Sequence, residues 1–190
     1  MKMLILCDRE STSYNGLDLR SRVQSTVQKM GIDVDTVVLN GDEIKPCMGC
    51  YMCWVRTPGF CIITNDCANA VGKQEIQADA VIFLSQITYG GFSYDMKSFV
   101  DRSIPNISPY FEIVEDNMRH GMRYERFPYM ISIGYGANTP EERQTFIDLA
   151  ERNSLIMMPQ KYCVFTVESA EEVDEAMLSL KNTLHREVGV

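Results

Sequence analysis

The stretch from Asp79 to Arg102, DAVIFLSQITYGGFSYDMKSFVDR, contains a strand, a glycine turn and a helix in one short run. Residues 79–84 are almost all apolar, which is typical of a strand that is buried on both faces of a parallel sheet. Residues 93–103 follow helical spacing, and Ser93 is a suitable N-cap residue. The stretch therefore predicts a strand, a loop and a helix in succession.

The same unit recurs along the chain. Further apolar runs predict strands at 2–7, 33–39, 128–134 and 162–167. Helices are predicted at 17–30, around 67–77, and after Thr139 and Ser169. Such alternation requires right-handed crossovers and a parallel sheet with helices on both faces. We therefore predict an α/β fold, a three-layer sandwich whose five parallel strands have the order 2-1-3-4-5.

The last two helices have clear start signals. Thr139 is a predicted N-cap, Pro140 occupies the first helical position, and Glu142 follows three residues after the cap. Ser169 and Glu172 form a second capping box. The residues that these starts predict to face inward are Phe146, Leu149, Ala150, Val173, Ala176, Met177, Leu180 and Leu184.

Charge and composition exclude several classes of function. The 190 residues include 26 acidic and 18 basic ones, and no Lys/Arg cluster is present to bind a nucleic-acid backbone. No apolar run approaches the roughly 18 residues of a membrane span, and residues 1–6 are too short for a signal-peptide core. We expect a single domain, 1–190, in the cytoplasm, with no nucleic-acid or membrane partner.

A ligand crevice in such a sheet lies beyond the carboxyl ends of the strands, where the predicted loops are 8–16, 40–66, 86–92 and 135–139. The first loop either binds a phosphate or is an ordinary polar turn, and its Asp8 and Glu10 would repel a phosphate. In the third loop, two glycines beside aromatic residues suit either a flat bound ring or a packed turn. Residues 105–127 are predicted to form a long insertion that acts as a lid or a subunit contact.

Four of the seven cysteines are closely spaced, at Cys47, Cys50, Cys53 and Cys61. This Cys-x2-Cys-x2-Cys-x7-Cys spacing lets thiolates converge on a [4Fe-4S] cluster, and four thiolates can also hold zinc. The alternatives are buried small residues or redox-active thiols, and a Cys47–Cys53 disulfide is disfavoured in a reducing compartment. Cys67 could replace one ligand, whereas Cys7 and Cys163 lie on predicted strands and are expected in the core.

Two blocks of the chain resemble the NAD(P)H-dependent FMN reductase family, which has a flavodoxin-like fold. The block Tyr89-Gly90-Gly91 … Ser93 … Met96-Lys97 … Phe99 … Asp101-Arg102 is similar to that family's FMN-contacting loop and following helix. The block Cys47-Met-Gly-Cys50-Tyr-Met-Cys53-Trp54 … Thr57-Pro58-Gly59 … Cys61 … Asp66 resembles the cysteine segment of flavodoxin-family reductases and of iron–sulfur flavoproteins.

The resemblance implies that FMN binds at the strand ends, with its phosphate in the first loop and its ring against the third. The residues implied in FMN binding are Arg9, Ser11, Ser13, Asn15, Gly16, Ile87, Thr88, Tyr89, Gly90, Gly91, Tyr135 and Gly136. The implied cluster ligands are Cys47, Cys50, Cys53 and Cys61. The resemblance also implies NAD(P)H as electron donor and a homodimer or homotetramer. Because the flavin supplies the chemistry, no catalytic side chain is expected.

Three hypotheses follow. The first is an FMN-dependent NAD(P)H oxidoreductase that passes electrons to a small acceptor such as a quinone, a nitro compound or a flavin. The second is an iron–sulfur flavoprotein that carries electrons to a partner protein through a [4Fe-4S] cluster. The third is a non-catalytic flavodoxin-like binding module that has lost FMN, because Asp8-Arg9-Glu10 and Gln86 replace the residues usual in the family's cofactor loops.

Overall fold

A computed structural model describes residues 1–114, 116–157 and 162–188 of the chain. The strands are β1 Lys2–Cys7, β2 Asp33–Val38, β3 Ala80–Thr88, β4 Gly91–Phe92, β5 Phe111–Val114, β6 Asn117–His120, β7 Tyr129–Tyr135 and β8 Tyr162–Val167. The α-helices are α1 Leu19–Lys29, α2 Met52–Val55, α3 Ala68–Gln77, α4 Tyr94–Arg102, α5 Pro140–Met157 and α6 Ala170–Val188. Short 3₁₀ turns occur at Arg9–Thr12 and Ile104–Asn106.

The central sheet has the order β2-β1-β3-β7-β8, and every pair along this path is parallel. The predicted order 2-1-3-4-5 is therefore confirmed, with β7 and β8 as the fourth and fifth strands. The three central strands are buried almost throughout, which explains their nearly continuous apolar sequences.

Alternate residues of the sheet pack into two separate cores. Ile5 and Ile82 belong to the core that also contains inward residues of α1 and α6. Leu4 and Val81 belong to the opposite core, with residues of α3 and α4. The two cores give the three layers that the alternating sequence predicts, because neighbouring side chains of a strand point to opposite faces.

The predicted helix starts are present. The Glu142 N–H donates to the hydroxyl of Thr139 (3.1 Å), and the Glu172 N–H donates to that of Ser169 (3.2 Å). The inward residues predicted for α6 are all buried, as are Phe146 and Ala150 of α5. The prediction is wrong at Leu149, which is 37% exposed because it lies on the flank of α5 beside Gly91.

The main departure from the predicted elements concerns β3. This strand continues to Thr88, so Gln86 and Ile87 lie in the sheet rather than in the predicted 86–92 loop. The polar pair Ser85 and Gln86 conceals this extension in the sequence, but both residues pair with β7. The chain then turns back at once as β4, antiparallel to the end of β3.

Two predicted irregular regions contain local structure. The 40–66 segment includes the single-turn helix α2. The 105–127 segment contains the antiparallel hairpin of β5 and β6, which forms its own two-stranded sheet. Among the described residues, no helix has both the length and the apolar sequence that crossing a membrane requires.

Candidate functional site

The ends of three central strands meet at the buried carboxylate of Asp8, which directly follows β1. This carboxylate accepts hydrogen bonds from the N–H of Gln86 in β3 (2.6 Å) and from the N–H of Ser11 (3.1 Å). It also accepts one from the hydroxyl of Tyr135 at the end of β7. A single acidic side chain therefore holds the ends of β1, β3 and β7 together.

Tyr135 forms one border of this edge. Its ring is fully buried and lies 4.9 Å, centroid to centroid, from the ring of Tyr14. Burial, and then the neighbouring Asp8 carboxylate, raise the pKa of the Tyr135 hydroxyl, which therefore stays protonated and donates to Asp8. The next residue, Gly136, has a φ of 74°, and a side-chain carbon there would lie 3.1 Å from the Tyr14 ring. The position therefore favours glycine.

A two-residue hairpin turn forms the second border. Thr88 pairs with Gly91, and the turn residues Tyr89 and Gly90 have φ values of 51° and 74°, which correspond to a type I′ turn. A side-chain carbon at Gly90 would lie 2.5 Å from Thr145 of α5, so packing as well as backbone requires glycine there. Tyr89 is 96% exposed despite its left-handed backbone. A bulky residue held in this conformation is a marker of a functional position.

The amino-terminal turn of α5 joins these two borders. The carboxylate of Glu142 accepts hydrogen bonds from the N–H of Asn138 (2.8 Å) and from the N–H of Gly90 (3.3 Å). The Asn138 N–H contributes most to holding the pKa of Glu142 below its usual range. The carboxylate therefore remains charged near neutral pH and keeps the two loops in contact.

The first loop is more closed than its sequence indicates. Ser11 is fully buried, and its hydroxyl donates to the Asp8 carbonyl (2.6 Å). The Arg9 guanidinium donates to Asp95 at the start of α4 and to Asp42. Burial alone would raise the pKa of Asp95, but the hydrogen bonds from Arg9 and from the Gly41 N–H hold it below its usual value. Arg9 is therefore already neutralised by acidic neighbours.

The rest of the first loop is a second tight turn. The Leu17 N–H donates to the Tyr14 carbonyl (2.8 Å), and Asn15 and Gly16 between them have φ values of 49° and 79°. These are the features of an Asn-Gly type I′ turn. Both turn residues are exposed, as is Ser13.

The structure places all the sequence-predicted FMN residues on the loops and strand ends of this edge. The exposed ones are Arg9, Ser13, Asn15, Gly16, Thr88 and Tyr89; Gly91 and Gly136 are half-buried. The buried ones are Ser11, Ile87, Gly90 and Tyr135. The exposed aromatic turn and its glycines suit a flat ring, and the exposed part of the first loop can reach a phosphate. The Ser11 hydroxyl is instead engaged within the loop. The residues thus fit FMN, and we call this region the flavin edge.

The four closely spaced cysteines line one cavity of about 290 Å³, which we call the cysteine cavity. Cys47 and Cys50 are exposed, whereas Cys53 and Cys61 are buried. Burial, and then the neighbouring Cys61, Cys47 and Cys50, raise the pKa of the Cys53 thiol. The other three cysteines are therefore within electrostatic reach of Cys53.

The four thiols are the donor set for either metal centre that the spacing allows. Zinc bound at about 2.3 Å would draw its sulfur ligands around a single point. Within the described ranges, no three His, Cys, Asp or Glu side chains surround such a point. Four thiols spread around a cavity suit a polynuclear cluster, which is held at its corners. Four thiols on one cavity are a donor set that fits a thiolate-held [4Fe-4S] cluster.

A buried ion pair forms the floor of the cysteine cavity. The side chains of Arg102 and Asp66 are both fully buried, and the Nη1 atom of Arg102 lies 2.6 Å from the Asp66 carboxylate. Burial opposes the charge on each group, but the hydrogen bond between them holds the pKa of Asp66 below, and that of Arg102 above, its usual value. Arg102 lines the cavity and is thus joined to the motif residue Asp66, which lies outside the lining.

The β5–β6 hairpin lies against the outer side of the cysteine segment. The indole N–H of Trp54 donates to the Ile104 carbonyl (3.1 Å). The Trp54 ring also contacts the ring of His120 in β6, 5.6 Å away, and His120 in turn contacts Phe111 of β5. These contacts join the hairpin to the walls of the cysteine cavity.

The other cysteines lie outside the lining of this cavity. Cys67 is exposed at the start of α3. Cys7 is buried in the core, as predicted, and Cys163 is half-buried against it. The sequence pattern did not reveal that Asp8 joins the strand ends, because its partners Gln86 and Tyr135 are 78 and 127 residues away.

Comparison with known proteins finds related sequences and similar folds. Iron–sulfur flavoproteins are among the curated relatives: one from Methanocaldococcus jannaschii is 33% identical over 81 residues, covering 43% of this chain and 40% of that protein. Another, from Methanosarcina thermophila, is 30% identical over 77 residues, covering 40% and 39%. The chain thus spans about two-fifths of the length of these relatives.

Similar solved structures show the same fold. An FMN-dependent NADH-azoreductase from Bacillus anthracis, in complex with FMN, has a TM-score of 0.63 at 10% identity, covering 97% of this chain and 98% of that one. An NAD(P)H:quinone oxidoreductase from Methanothermobacter marburgensis has a TM-score of 0.64 at 12% identity, covering 100% and 98%. The sequence profile of the NADPH-dependent FMN reductase family matches residues 1–123. This match includes the first loop, the cysteine segment and the Tyr89 turn, and the chain belongs to the NADPH-dependent FMN reductase family.

Proposed function

We propose that the protein is an FMN-dependent NAD(P)H oxidoreductase that binds FMN across the flavin edge. The observation that carries this proposal is the convergence of three strand ends on Asp8, beside the exposed, left-handed Tyr89. Membership of the FMN reductase family supports it. So does the fold shared with an azoreductase whose structure contains FMN.

Each side of the flavin edge has a distinct task. Tyr89, Gly90 and Gly91 provide the surface for the ring, and Tyr135 and Gly136 form its other border. Arg9, Ser13, Asn15 and Gly16 bind the phosphate, while Ser11 and Ile87 shape the loops from within. FMN, when bound, accepts a hydride from the reduced nicotinamide and passes electrons on. The protein binds the cofactor, orients it and limits its contact with water.

The acceptor is a small oxidant such as a quinone, a nitro compound or a flavin. The names of structural relatives, which include azoreductases and quinone reductases, support this class. We place the protein in the cytoplasm as a homodimer or homotetramer that pairs through the segment from Tyr89 to Arg102. The exposed rings of Tyr89 and Tyr94 on that segment favour such a contact.

Titration of the colourless protein with FMN, followed by flavin fluorescence, tests the proposed cofactor site. We expect saturable binding and bleaching of the bound flavin by NADH or NADPH. The variant Tyr89→Gly removes the ring while tolerating the left-handed backbone, and it should weaken binding. Tyr110→Ala removes a comparably exposed ring on another part of the surface and should not. Failure of the wild-type chain to bind FMN would instead favour a non-catalytic module.

A second function is favoured by the four cysteines that line one cavity. In this candidate, Cys47, Cys50, Cys53 and Cys61 hold a [4Fe-4S] cluster, and the protein is an iron–sulfur flavoprotein that delivers electrons to a partner protein. The curated relatives that bear this name support it. A bound cluster supplies single-electron transfer, which a two-electron hydride donor does not perform by itself.

Iron and acid-labile sulfide assays on anaerobically purified protein test this second candidate. Four irons and four sulfides per chain are expected if a single [4Fe-4S] cluster is present. Zinc without sulfide would contradict the cluster. Iron and sulfide that are both absent after anaerobic reconstitution would leave the flavin oxidoreductase as the function.

A further inference from the structure

The floor of the cysteine cavity contains a donor that the protein itself does not satisfy. Arg102, the last residue of α4, lines this cavity with a side chain that is fully buried. Its Nη1 atom donates to the Lys45 carbonyl and to Asp66, both at 2.6 Å. Its Nη2 atom donates to the Ile63 carbonyl (3.2 Å) and to Asp66.

The remaining nitrogen of this guanidinium, Nε, is buried and has no hydrogen-bond partner in the part of the chain that the structure describes. A buried donor without a partner is costly, and each such case in a native protein requires an explanation. The ion pair with Asp66 does not explain the unpartnered Nε, because the pair uses only the Nη atoms of Arg102. The unused Nε–H is therefore available to a group that the cavity would hold.

Among the cysteines of the cavity, Cys61 is the one that interacts electrostatically with Arg102. It is buried on the wall of the same cavity, and its charge acts on Arg102. A cysteine that ligates a metal does so as a thiolate, which accepts hydrogen bonds and carries negative charge. A cationic donor beside it stabilises added negative charge, and reduction of a cluster adds one such charge.

We propose that Arg102 is a positioning residue that donates its Nε–H to a sulfur of the four-cysteine centre when the cavity holds it, and that it raises the reduction potential of that centre. This inference rests on the proposed [4Fe-4S] site. Asp66 holds the guanidinium in place and partly offsets its charge. The two side chains therefore shift the reduction potential in opposite directions: Arg102 raises it and Asp66 lowers it. Arg102 has the larger effect because it lines the cavity.

Redox titrations of the anaerobically reconstituted full chain, followed by electron paramagnetic resonance, test this proposal. Arg102→Gln alone would leave Asp66 buried without its partner, so the test variant is the double substitution Arg102→Gln/Asp66→Asn. It should lower the ratio of reduced to oxidised cluster at a fixed potential about tenfold, which is 59 mV for one electron. Arg22→Gln, which removes a cation from an exposed pair with Asp174, is the matched control and should leave the ratio unchanged.

Asp66→Asn alone gives a test of opposite sign. It keeps Arg102 but removes the offsetting charge, so the ratio of reduced to oxidised cluster should rise. Arg102→Lys keeps the charge but lacks Nε, and its ratio should fall between those of the wild-type protein and the double variant. These two variants keep the proposal testable if the double variant does not retain its cluster.

Different results would overturn the proposed cluster site and the proposed role of Arg102. Wild-type protein that binds no iron or sulfide after reconstitution overturns both the cluster site and the role of Arg102. Full iron content with equal potentials in the wild-type, Asp66→Asn and Arg102→Lys proteins overturns the role of Arg102 alone. In that case the ion pair is purely structural. Opposite shifts in the Asp66→Asn and double variants support the proposal.

Discussion

The flavin edge and the cysteine cavity are both built around buried charge, but the two charges are balanced differently. At the flavin edge, the Asp8 carboxylate is fully buried and is surrounded by three neutral donors. At the cysteine cavity, the Arg102 guanidinium is buried against Asp66, and its Nε–H has no partner within the described residues. The first region has a buried acidic side chain at its centre, whereas the second has a buried basic side chain on its lining.

This difference indicates how each region responds to a bound anion. Four thiolates and the inorganic core of a [4Fe-4S] cluster carry net negative charge, which the Arg102 cation favours. A phosphate at the flavin edge instead lies on the loop that carries the exposed Glu10, and the cation of that loop, Arg9, is already paired with Asp95 and Asp42. We therefore expect the protein to hold FMN mainly through its ring and less through its phosphate.

The largest expected effect is the loss of a ligand from the cysteine cavity. Cys53→Ser should abolish iron and sulfide incorporation, because serine replaces the thiolate whose pKa responds to all three other cysteines. FMN binding should persist, because the flavin edge uses different elements. Cys67→Ser, outside the cavity lining, is the control and should retain full iron content. Loss of FMN together with iron would show that the two regions form one site.

The next effect concerns the carboxylate of the flavin edge. Asp8→Ala leaves two backbone N–H groups and the Tyr135 hydroxyl without their acceptor, which should lower the free energy of unfolding by about 4 kcal/mol. Tyr135→Phe removes only one of these bonds and should cost about 1 kcal/mol. Urea unfolding measures both values. A cost below about 1 kcal/mol for Asp8→Ala would show that Asp8 does not hold the strand ends together.

A buried carboxyl group near the cysteine cavity provides a contrast with Asp8. Glu75 of α3 is 3% exposed and accepts one hydrogen bond, from the Asn106 side chain (2.8 Å). Burial raises its pKa from 4.5 to about 7, against the opposing effect of Asn106. Glu75 therefore has one hydrogen-bond donor, whereas Asp8 has three. The Glu75 carboxyl group is neutral in acid, and its ionisation in the folded protein is costly.

The sign of the resulting pH dependence follows from linkage. The unfolded chain releases the Glu75 proton near pH 4.5 and the folded chain near pH 7, so the free energy of unfolding falls as pH rises between these values. Glu75→Gln should remove this fall and add about 3 kcal/mol at pH 8, with little change at pH 4. Urea unfolding at both pH values measures it, with the exposed Glu171→Gln as control. Equal stabilisation at the two pH values would contradict the raised pKa.

The smallest effect tests repulsion at the first loop. Glu10 is exposed beside the proposed phosphate position, so Glu10→Gln should tighten FMN binding about threefold at low salt. The gain should shrink at high ionic strength, because salt screens exposed charges. Glu125→Gln, which removes an exposed carboxylate elsewhere, should leave affinity unchanged. Equal affinities for Glu10→Gln and wild-type protein at low salt would place the phosphate away from this loop.

Much of the fold is predictable from local pattern. Alternating apolar runs and helix caps such as Ser93 and Thr139 identify the five parallel strands and the main helices, because these signals act within a few residues. The cysteine spacing likewise predicts a shared cavity, since three of its members lie within seven residues. The Asn15-Gly16 turn also carries a local signal.

The remaining features depend on contacts between distant parts of the chain. Ser85 and Gln86 look like loop residues but are buried or half-buried in β3, because β7 supplies their backbone partners. Gly90 is required by its approach to Thr145 of α5, 55 positions later in the chain. The role of Asp8 likewise depends on partners that only the assembled sheet brings within reach.

The two proposed functions together require one chain to hold a flavin at the sheet edge and a metal centre in the cysteine cavity. The most direct test is an anaerobic titration of the FMN- and iron-reconstituted full chain with NADH or NADPH, followed by visible absorbance. We expect the bands of bound flavin to bleach and a broad cluster absorbance at longer wavelength to fall with them. A chain that retains no FMN, or whose flavin is not bleached by either nucleotide, would contradict this expectation.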